Sequence, residues 1–207
     1  MKKSQSGFTL VEIAIVLVIV GLLLGAVLKG QELIFNTRVK STYNLSRELT
    51  AAVSAYQDRY RAMPGDDGQA ATRFPAAAVL PTNGNSNGVI DWQTNPCAAG
   101  VQAGENCQVF YHLRLGGFIS GTGSESPKSA FSSNVHVVAM SVHITGTPAS
   151  PGMILDPNGI THKIMNAIDT SFDDGSPASG SVRCQNLAAY NMATPNSNIA
   201  AWCGLAM

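Results

Sequence analysis

The chain has 207 residues, with 13 acidic and 13 basic side chains and a charged fraction of only 13%. This length accommodates one membrane helix and one globular domain of ordinary size. The neutral charge balance and the lack of a basic patch argue against nucleic acid as a partner, and the four cysteines form no C-x-x-C pair of the kind found in zinc sites.

The first predicted element is a membrane-spanning helix from Phe8 to Leu28. Its residues are apolar except for Thr9, two glycines and Glu12. At about 1.5 Å of rise per residue it spans roughly 30 Å, the thickness of the hydrocarbon core of a bilayer. Two lysines precede it, and the basic flank of a first membrane segment tends to stay in the cytoplasm. We therefore expect the long C-terminal part to lie outside.

Glu12 is the anomaly in this segment, because an ionised carboxylate in a membrane helix costs on the order of 2.5 to 3.5 kcal/mol. Two interpretations stay open. The side chain reaches the headgroup region, or it pairs with a positive charge at the same depth. The apolar segment itself contains no basic residue, but a newly formed amino terminus would provide such a charge.

Residues 2–12, from two lysines through Gly7 and Phe8 to Glu12, resemble the processing site of type IV pilins and of the pseudopilins of type II secretion. The resemblance covers about the first thirty residues. It implies cleavage between Gly7 and Phe8 by a prepilin peptidase, N-methylation of Phe8, and pairing of Glu12 with the N-terminus of an adjacent subunit. Many family members carry a proline in the membrane half of the helix, whereas the first proline here is Pro64.

A conventional secretory signal peptide is the competing interpretation of the N-terminus. Such a peptide has an apolar region of about 7 to 15 residues, followed by a cleavage site. Here the apolar run is longer, and the features of a cleavage site precede it. We therefore expect the segment to remain on the mature protein.

Beyond the membrane, apolar residues at helical spacing predict that the helix continues to about Ala62, where Met63-Pro64-Gly65 ends it. The predicted organisation is a leader at 1–7, a membrane and filament-core helix at 8–29, an amphipathic continuation at 30–63 and a globular domain at 64–207. The predicted inward stripe consists of Leu45, Leu49, Ala52, Val53, Tyr56 and Tyr60.

A Gly-, Asn- and Pro-rich stretch from Gly65 to Asn106 predicts a surface loop. Within it, oxygen-bearing side chains at alternate positions resemble a calcium loop. Thr94 stands where a bidentate glutamate belongs, and three of the four ligands are neutral amides. Turn formation is therefore favoured over calcium. The weak calcium candidates are Asn83, Asn85, Asn87 and Asp91.

The next elements are a short helix at 106–115, capped by Asn106, and a strand from Val135 to Ile144. His112 in the helix is expected to be structural. Under the two-residue period of a strand, His136 and His143 point to opposite faces and cannot form a site by themselves.

The last predicted elements are a strand at 152–155, a helix from Ile160 to Phe172 with Thr161 as its cap, and a strand at 181–185 followed by a polar loop. Gly175 is the predicted stop of that helix. The aspartates Asp169, Asp173 and Asp174 are interpreted as turn formers rather than as paired catalytic carboxylates.

All four cysteines fall in the part predicted to be exported, where disulfides form and persist. Cys97 and Cys107 flank a short Gly- and Ala-rich loop, and Cys184 and Cys203 bracket the C-terminal segment. Of the three possible pairings, we expect Cys97 to bond with Cys107 and Cys184 with Cys203.

These observations predict an α+β, pilin-like fold in which a long N-terminal helix packs on a small antiparallel sheet with extensive loops. No catalytic arrangement or cofactor motif is present, so an enzyme is not expected. The resemblance implies a type IV pilus subunit, with a type II pseudopilin as the alternative and a singly anchored periplasmic binding module as the lesser one. The implied partners are a prepilin peptidase, other pilins and an assembly platform, and the implied location is the bacterial inner membrane followed by a pilus or pseudopilus.

Overall fold

The computed structural model describes residues 9–93, 104–147 and 149–207. The chain forms two compact units, Met1–Arg38 and Val39–Met207. Helix α1 runs from Leu10 to Tyr60 without interruption, so the predicted continuous helix ends two residues before Ala62. Arg61, which follows it, has a left-handed backbone with φ of 54°, and the helix stops there.

In the globular unit, α1 presents one buried face. Leu49 and Tyr56 belong to it as predicted, whereas Leu45 and Tyr60 are only half-buried. Ala52 and Val53 are also buried as predicted, and the small polar residues Thr42 and Ser46 lie on the same face, which an apolar pattern alone does not reveal. The buried residues of α1 are Val39, Thr42, Ser46, Leu49, Ala52, Val53 and Tyr56.

Three shorter helices and four strands complete the globular unit, and together they confirm the predicted α+β class. The helices are α2 (Ala70–Arg73), α3 (Glu105–Leu115) and α4 (His162–Phe172). The strands are β1 (Val135–Ala139), β2 (Pro151–Leu155), β3 (Val182–Cys184) and β4 (Cys203–Ala206).

The strands form one antiparallel sheet in the order β1-β2-β4-β3. The last strand of the chain therefore lies in the interior of the sheet, where Leu205 pairs with both Met153 and Val182. The prediction of a polar C-terminal loop is wrong for these residues. Four residues that include a glycine are too short for a period-two pattern, and pairing with two neighbours fixes them instead.

The predicted strand Val135–Ile144 ends five residues early. After Ala139 the chain turns into a short 3-10 helix, Met140–Val142. The amides of His143 and Ile144 bond back to the carbonyl of Met140, at 3.1 and 2.9 Å. Residues 135–144 contain no glycine or proline, so no local pattern indicated this turn.

The helix ends agree in part with the predictions. Thr161 caps α4 through its hydroxyl, which accepts the N–H of Ile164 at 3.4 Å. α4 ends at Phe172 as predicted, and Gly175 follows it with φ of 78°, whereas its first residue is His162 rather than Ile160. Asn106 is not the cap of α3. Gly104 holds that position with φ of 89°, and Asn106 lies within the helix.

Aromatic rings join α1 to the rest of the globular unit. The Tyr56 ring, which is fully buried, lies 6.2 Å from the His112 ring of α3 and 5.8 Å from the Phe118 ring that follows α3. Tyr43, earlier on α1, stacks on Phe172 at the end of α4 with ring centroids 3.8 Å apart. The second half of α1 is thus part of the core of this unit.

Candidate functional site

The N-terminal unit is an apolar helix whose side chains are exposed. Large apolar residues from Leu10 to Leu28 keep between 45% and 90% of their surface accessible. These residues belong to the one helix in the described part of the chain that is long and apolar enough to cross a membrane. A helix that is apolar on every side requires burial by lipid or by another protein, so this surface is the first candidate site.

The first turn of this helix forms a capping box. The carboxylate of Glu12 accepts two hydrogen bonds, from the backbone N–H and from the hydroxyl of Thr9, both at 2.8 Å. In return, the Thr9 hydroxyl accepts the N–H of Glu12 at 3.3 Å. This reciprocal arrangement satisfies donors that a helix N-terminus leaves unpaired.

The capping role of Thr9 was not predicted, although the spacing Thr-x-x-Glu is a recognised signal for it. The contact holds the Glu12 carboxylate against Thr9, the residue that follows Phe8 in the sequence. The processing residues Gly7 and Phe8 themselves lie outside the described residues. Their cleavage and methylation stay predictions.

Past the apolar segment, Lys29 and Glu32 form an exposed ion pair at 2.7 Å. Such a pair contributes little to stability. It shows that charged residues begin directly after the apolar segment. A Cβ atom added at Gly21 or at Gly25 would meet no neighbouring atom within 4 Å. These two glycines are therefore not required for packing within the chain itself.

The four calcium candidates lie in a loop that its own side chains stabilise. The amide groups of Asn85 and Asn87 donate to the carboxylate of Asp91, at 2.9 and 3.1 Å. Asn83 contacts a different segment, since its side-chain oxygen accepts the N–H of Ala71. These bonds hold the loop by its own side chains, and the preference for turn formation over calcium stays a prediction.

Two buried acids that sequence reasoning missed hold the same loop. Asp66 accepts the backbone N–H groups of Asn87 and Gly88, at 3.1 and 2.7 Å. Glu105, at the start of α3, accepts those of Asn85 and Asp91, both at 2.9 Å. Burial, together with the nearby Asp66 and Asp91, raises the pKa of Glu105. Neither acid belongs to a local motif, so no sequence signal indicated this role.

A second buried network ties the end of α1 to the segment after it. The carboxylate of Asp67 accepts the Tyr56 hydroxyl at 2.8 Å and Nε of Arg73 at 2.6 Å. Burial opposes ionisation of Asp67, but the bonds from Arg73, Gln69 and Tyr56 lower its pKa overall. Every described group here is paired, as expected for a structural rather than a catalytic acid.

The strand period predicted that His136 and His143 point to opposite faces, and this prediction is wrong. Because the chain turns after Ala139, both rings reach the same pair of tryptophans. The His136 and His143 rings lie 4.9 and 4.6 Å from the Trp92 ring, and His143 stacks on Trp202 at 4.7 Å. Nδ1 of His136 and Nε2 of His143 are buried and make no hydrogen bond to the described residues.

His112 is structural, in agreement with the prediction. Its Nδ1 accepts the N–H of Gly65 at 3.0 Å, and its Nε2 lies 3.3 Å from the carbonyl of Thr82. Burial lowers the pKa of His112 to about 4, so the ring is neutral at pH 7. It joins α3 to Gly65 and Thr82, two positions in the segment between α1 and α3.

The three aspartates at the end of α4 lie close together, with carboxylate oxygens within 4.8 Å of one another. Asp169 accepts the Tyr190 hydroxyl at 2.7 Å and the N–H of Gly175 at 2.9 Å, and Asp174 accepts the N–H of Ser176 at 2.9 Å. The backbone bonds are those of turn-forming aspartates. Burial raises the pKa of Asp169.

A disulfide joins Cys184 of β3 to Cys203 of β4, which is the pairing predicted from sequence. The two residues also face each other in the strand register. Cys107 in α3 is disulfide-bonded too. Its predicted partner, Cys97, lies outside the described residues, and that pairing stays a prediction.

Comparison with known families identifies the N-terminal segment. Residues 2–28 match the family model described as the prokaryotic N-terminal methylation motif. No curated protein and no solved structure shows a significant match to the chain. The matched residues include the capping box and the exposed apolar surface, and they support membership of the type IV pilin and pseudopilin family.

Proposed function

We propose that this chain, which carries the N-terminal segment of type IV pilins and pseudopilins, is a structural subunit of a type IV pilus, as a major or minor pilin. The subunit is stored in the inner membrane with its globular unit in the periplasm. A prepilin peptidase removes residues 1–7 and methylates Phe8. An assembly platform then moves the subunit into the filament, where the helix at 8–29 packs among other pilins. The protein has no enzymatic role.

The observation that supports this proposal best is the exposed apolar surface of α1 between Leu10 and Leu28. Lipid covers that apolar surface while the subunit is stored in the membrane. When the helix leaves the bilayer, the apolar segments of neighbouring copies provide an equivalent environment. Self-assembly therefore follows from the same residues that anchor the monomer.

Glu12 determines how neighbouring helices are staggered along one another in this assembly. Among the described residues of a single chain, its carboxylate is bound only by Thr9. A bundle of apolar helices has a low dielectric, so an acid without a charge partner is penalised and one beside an amino terminus is favoured. The methylated amine of Phe8 on an adjacent subunit provides that partner at one stagger of the helices and not at others.

Processing is tested by the intact mass of the protein purified from cells with an active prepilin peptidase. We expect a chain that begins at Phe8 and carries one added methyl group. A chain that retains Met1 to Gly7 contradicts the family assignment, and it favours the alternative of a singly anchored periplasmic binding module.

Assembly is tested by Glu12→Ala, with Glu32→Ala as the matched control. Both acids are exposed on α1, but Glu32 lies beyond the apolar segment and pairs with Lys29. We expect both variants to be cleaved and inserted, and Glu12→Ala alone to reduce incorporation into filaments by roughly tenfold or more. Equal incorporation of Glu12→Ala and the parent, with or without the parent present, would contradict the register proposal.

A pseudopilin of a type II secretion system is the second candidate, and the asparagine-rich loop at 83–91, which resembles a calcium loop, favours it. Immunogold labelling of the globular unit separates the two. Surface filaments that carry the label support the pilus. Label confined to the periplasm, together with loss of protein secretion on deletion, supports the pseudopilin.

A further inference from the structure

The globular unit contains a half-open cavity of about 410 Å³ beside α3. Ala78, Val79, Tyr111 and Leu115 form much of its apolar wall, and the rest consists of Arg114 and the loop 121–124. The Tyr111 hydroxyl donates to the carbonyl of Val79, which fixes the two sides of the cavity to each other. This volume suits one small organic molecule.

Arg114 brings an incompletely neutralised positive charge to this cavity. Its Nη1 donates to the carbonyls of Gly123 and Glu125, both at 2.8 Å, and its Nε to that of Ser120 at 3.4 Å. These bonds fix the guanidinium group without supplying a negative charge. A guanidinium has five N–H donors, so capacity for a ligand remains.

Among the described residues, no carboxylate forms an ion pair with Arg114. Arg114 is also half-buried, and its burial lowers its pKa, an effect that the nearby Glu125 only partly offsets. A cation that has lost part of its hydration and lacks a close counterion favours binding of an anion.

We propose that this cavity binds a small organic anion, with its apolar body against Ala78, Val79 and Leu115 and its carboxylate or sulfonate on Arg114. Arg114 also lines a second cavity, of about 560 Å³, beside α1. Glu48 stands on the wall of that second cavity and repels an anion. The charge pattern therefore assigns the anion to the first cavity.

The test uses 4-(trifluoromethyl)benzoate as the probe and 4-(trifluoromethyl)benzamide as its neutral counterpart. Binding to the full chain in lipid nanodiscs is followed by ¹⁹F NMR, with empty nanodiscs as the background. We expect the benzoate to bind about tenfold more tightly than the benzamide, the preference that one charge-assisted hydrogen bond provides. Equal affinity of the two probes overturns the proposal.

Three variants locate the site. Ala78→Trp fills the cavity from an exposed position and leaves the bonds of Arg114 in place, so it should weaken both probes. Arg114→Met should remove the preference for the anion. Arg183→Met is the matched control, because Arg183 also bonds a backbone carbonyl, that of Gly180 at 2.9 Å, yet lines neither cavity. Unchanged benzoate binding in Ala78→Trp, or an equal loss in Arg183→Met, overturns the assignment.

Discussion

The two units of the chain differ in where their polar and apolar groups find partners. In the globular unit, buried acids such as Asp66 and Asp67 accept hydrogen bonds from donors of the same unit. In the N-terminal unit the apolar side chains are exposed, and the described partners of Glu12 all lie within its own first turn. The buried acids of the globular unit thus find their partners within that unit, whereas the apolar surface of the N-terminal unit is left without a partner among the described residues.

This contrast predicts that changes in the globular unit act on its stability and leave processing and membrane insertion intact. Changes in the N-terminal unit should act on assembly and leave the globular unit folded. Substitutions in each unit test that separation, and their expected effects decrease from Asp67 to Thr9.

The largest effect is expected for Asp67→Ala. It removes the acceptor for Tyr56 and leaves Arg73 half-buried without its counterion. Breaking a buried ion pair by removing one partner costs about 3 to 5 kcal/mol. Urea unfolding should show a loss near the lower end, since Arg73 keeps partial access to water. The intact mass should still correspond to a chain that begins at Phe8.

Asp58→Ala is the matched control, because Asp58 is an exposed acid on α1, the helix that carries Tyr56. Its effect should lie within about 0.5 kcal/mol. The double variant Asp67→Leu with Arg73→Met should recover part of the loss, since no unpaired charge is left buried. A double variant no more stable than Asp67→Ala would mean that the ion pair is not the source of the effect.

The disulfide between Cys184 and Cys203 is expected to contribute somewhat less. It closes a loop with a sequence separation of 19 residues, and the loop-entropy model gives about 3 kcal/mol for loops of this order. Replacing both cysteines by serine should lower the free energy of unfolding by roughly that amount. Peptide mapping without reduction provides the check on connectivity, and a Cys97–Cys184 link in the parent would contradict both predicted pairings.

Acid should destabilise the globular unit through its buried histidines. Burial lowers the pKa of His112 and of His136 to about 4, and it also lowers the pKa of His143. In the unfolded chain these histidines bind protons near pH 6.5. In the folded chain His112 and His136 bind them only near pH 4. Stability is therefore full above about pH 6.5, and each of His112 and His136 removes up to about 1.4 kcal/mol per pH unit as the pH falls toward 4.

Tryptophan fluorescence reports on two of these histidines directly. The chain has two tryptophans, and Trp92 and Trp202 lie in one cluster with His136 and His143. The charged groups that act on His136 are Asp156, which favours its protonation, and His143, which opposes it. In His136→Phe the acid-induced loss between pH 6.5 and 4 should shrink, and an unchanged pH profile would exclude this cluster as the cause.

Much of the helical structure was predictable from sequence, because long periodic patterns carry redundant information. Leu49 and Tyr56 lie on the buried face of α1 as predicted, and Thr161 caps α4. Short elements lack that redundancy. Residues 203–206 form an interior strand through pairing with two partners that are distant in sequence, which no local pattern encodes.

The groups missed at the candidate sites are those held by contacts distant in sequence. Glu105 and Asp91 are 14 residues apart, and Tyr56 and Asp67 are 11 apart, so neither pair resembles a motif. The error for His136 and His143 had a different origin, because it assumed one continuous strand through Ala139. Once the chain turns there, the alternation of faces no longer applies.

The smallest effect is expected for Thr9, and it tests whether the capping box matters apart from Glu12. Thr9→Ala removes the hydroxyl but leaves the backbone N–H as a donor to Glu12, so the carboxylate keeps one of its two bonds. Loss of a side-chain cap should raise amide exchange in the first turn by roughly fivefold, while Thr9→Ser should match the parent. Filament incorporation should fall less than in Glu12→Ala, because the charge that pairs with the adjacent amine is still present. If Thr9→Ala abolished assembly as fully as Glu12→Ala, the two residues would act as one unit, and a register set by the carboxylate charge alone would be wrong.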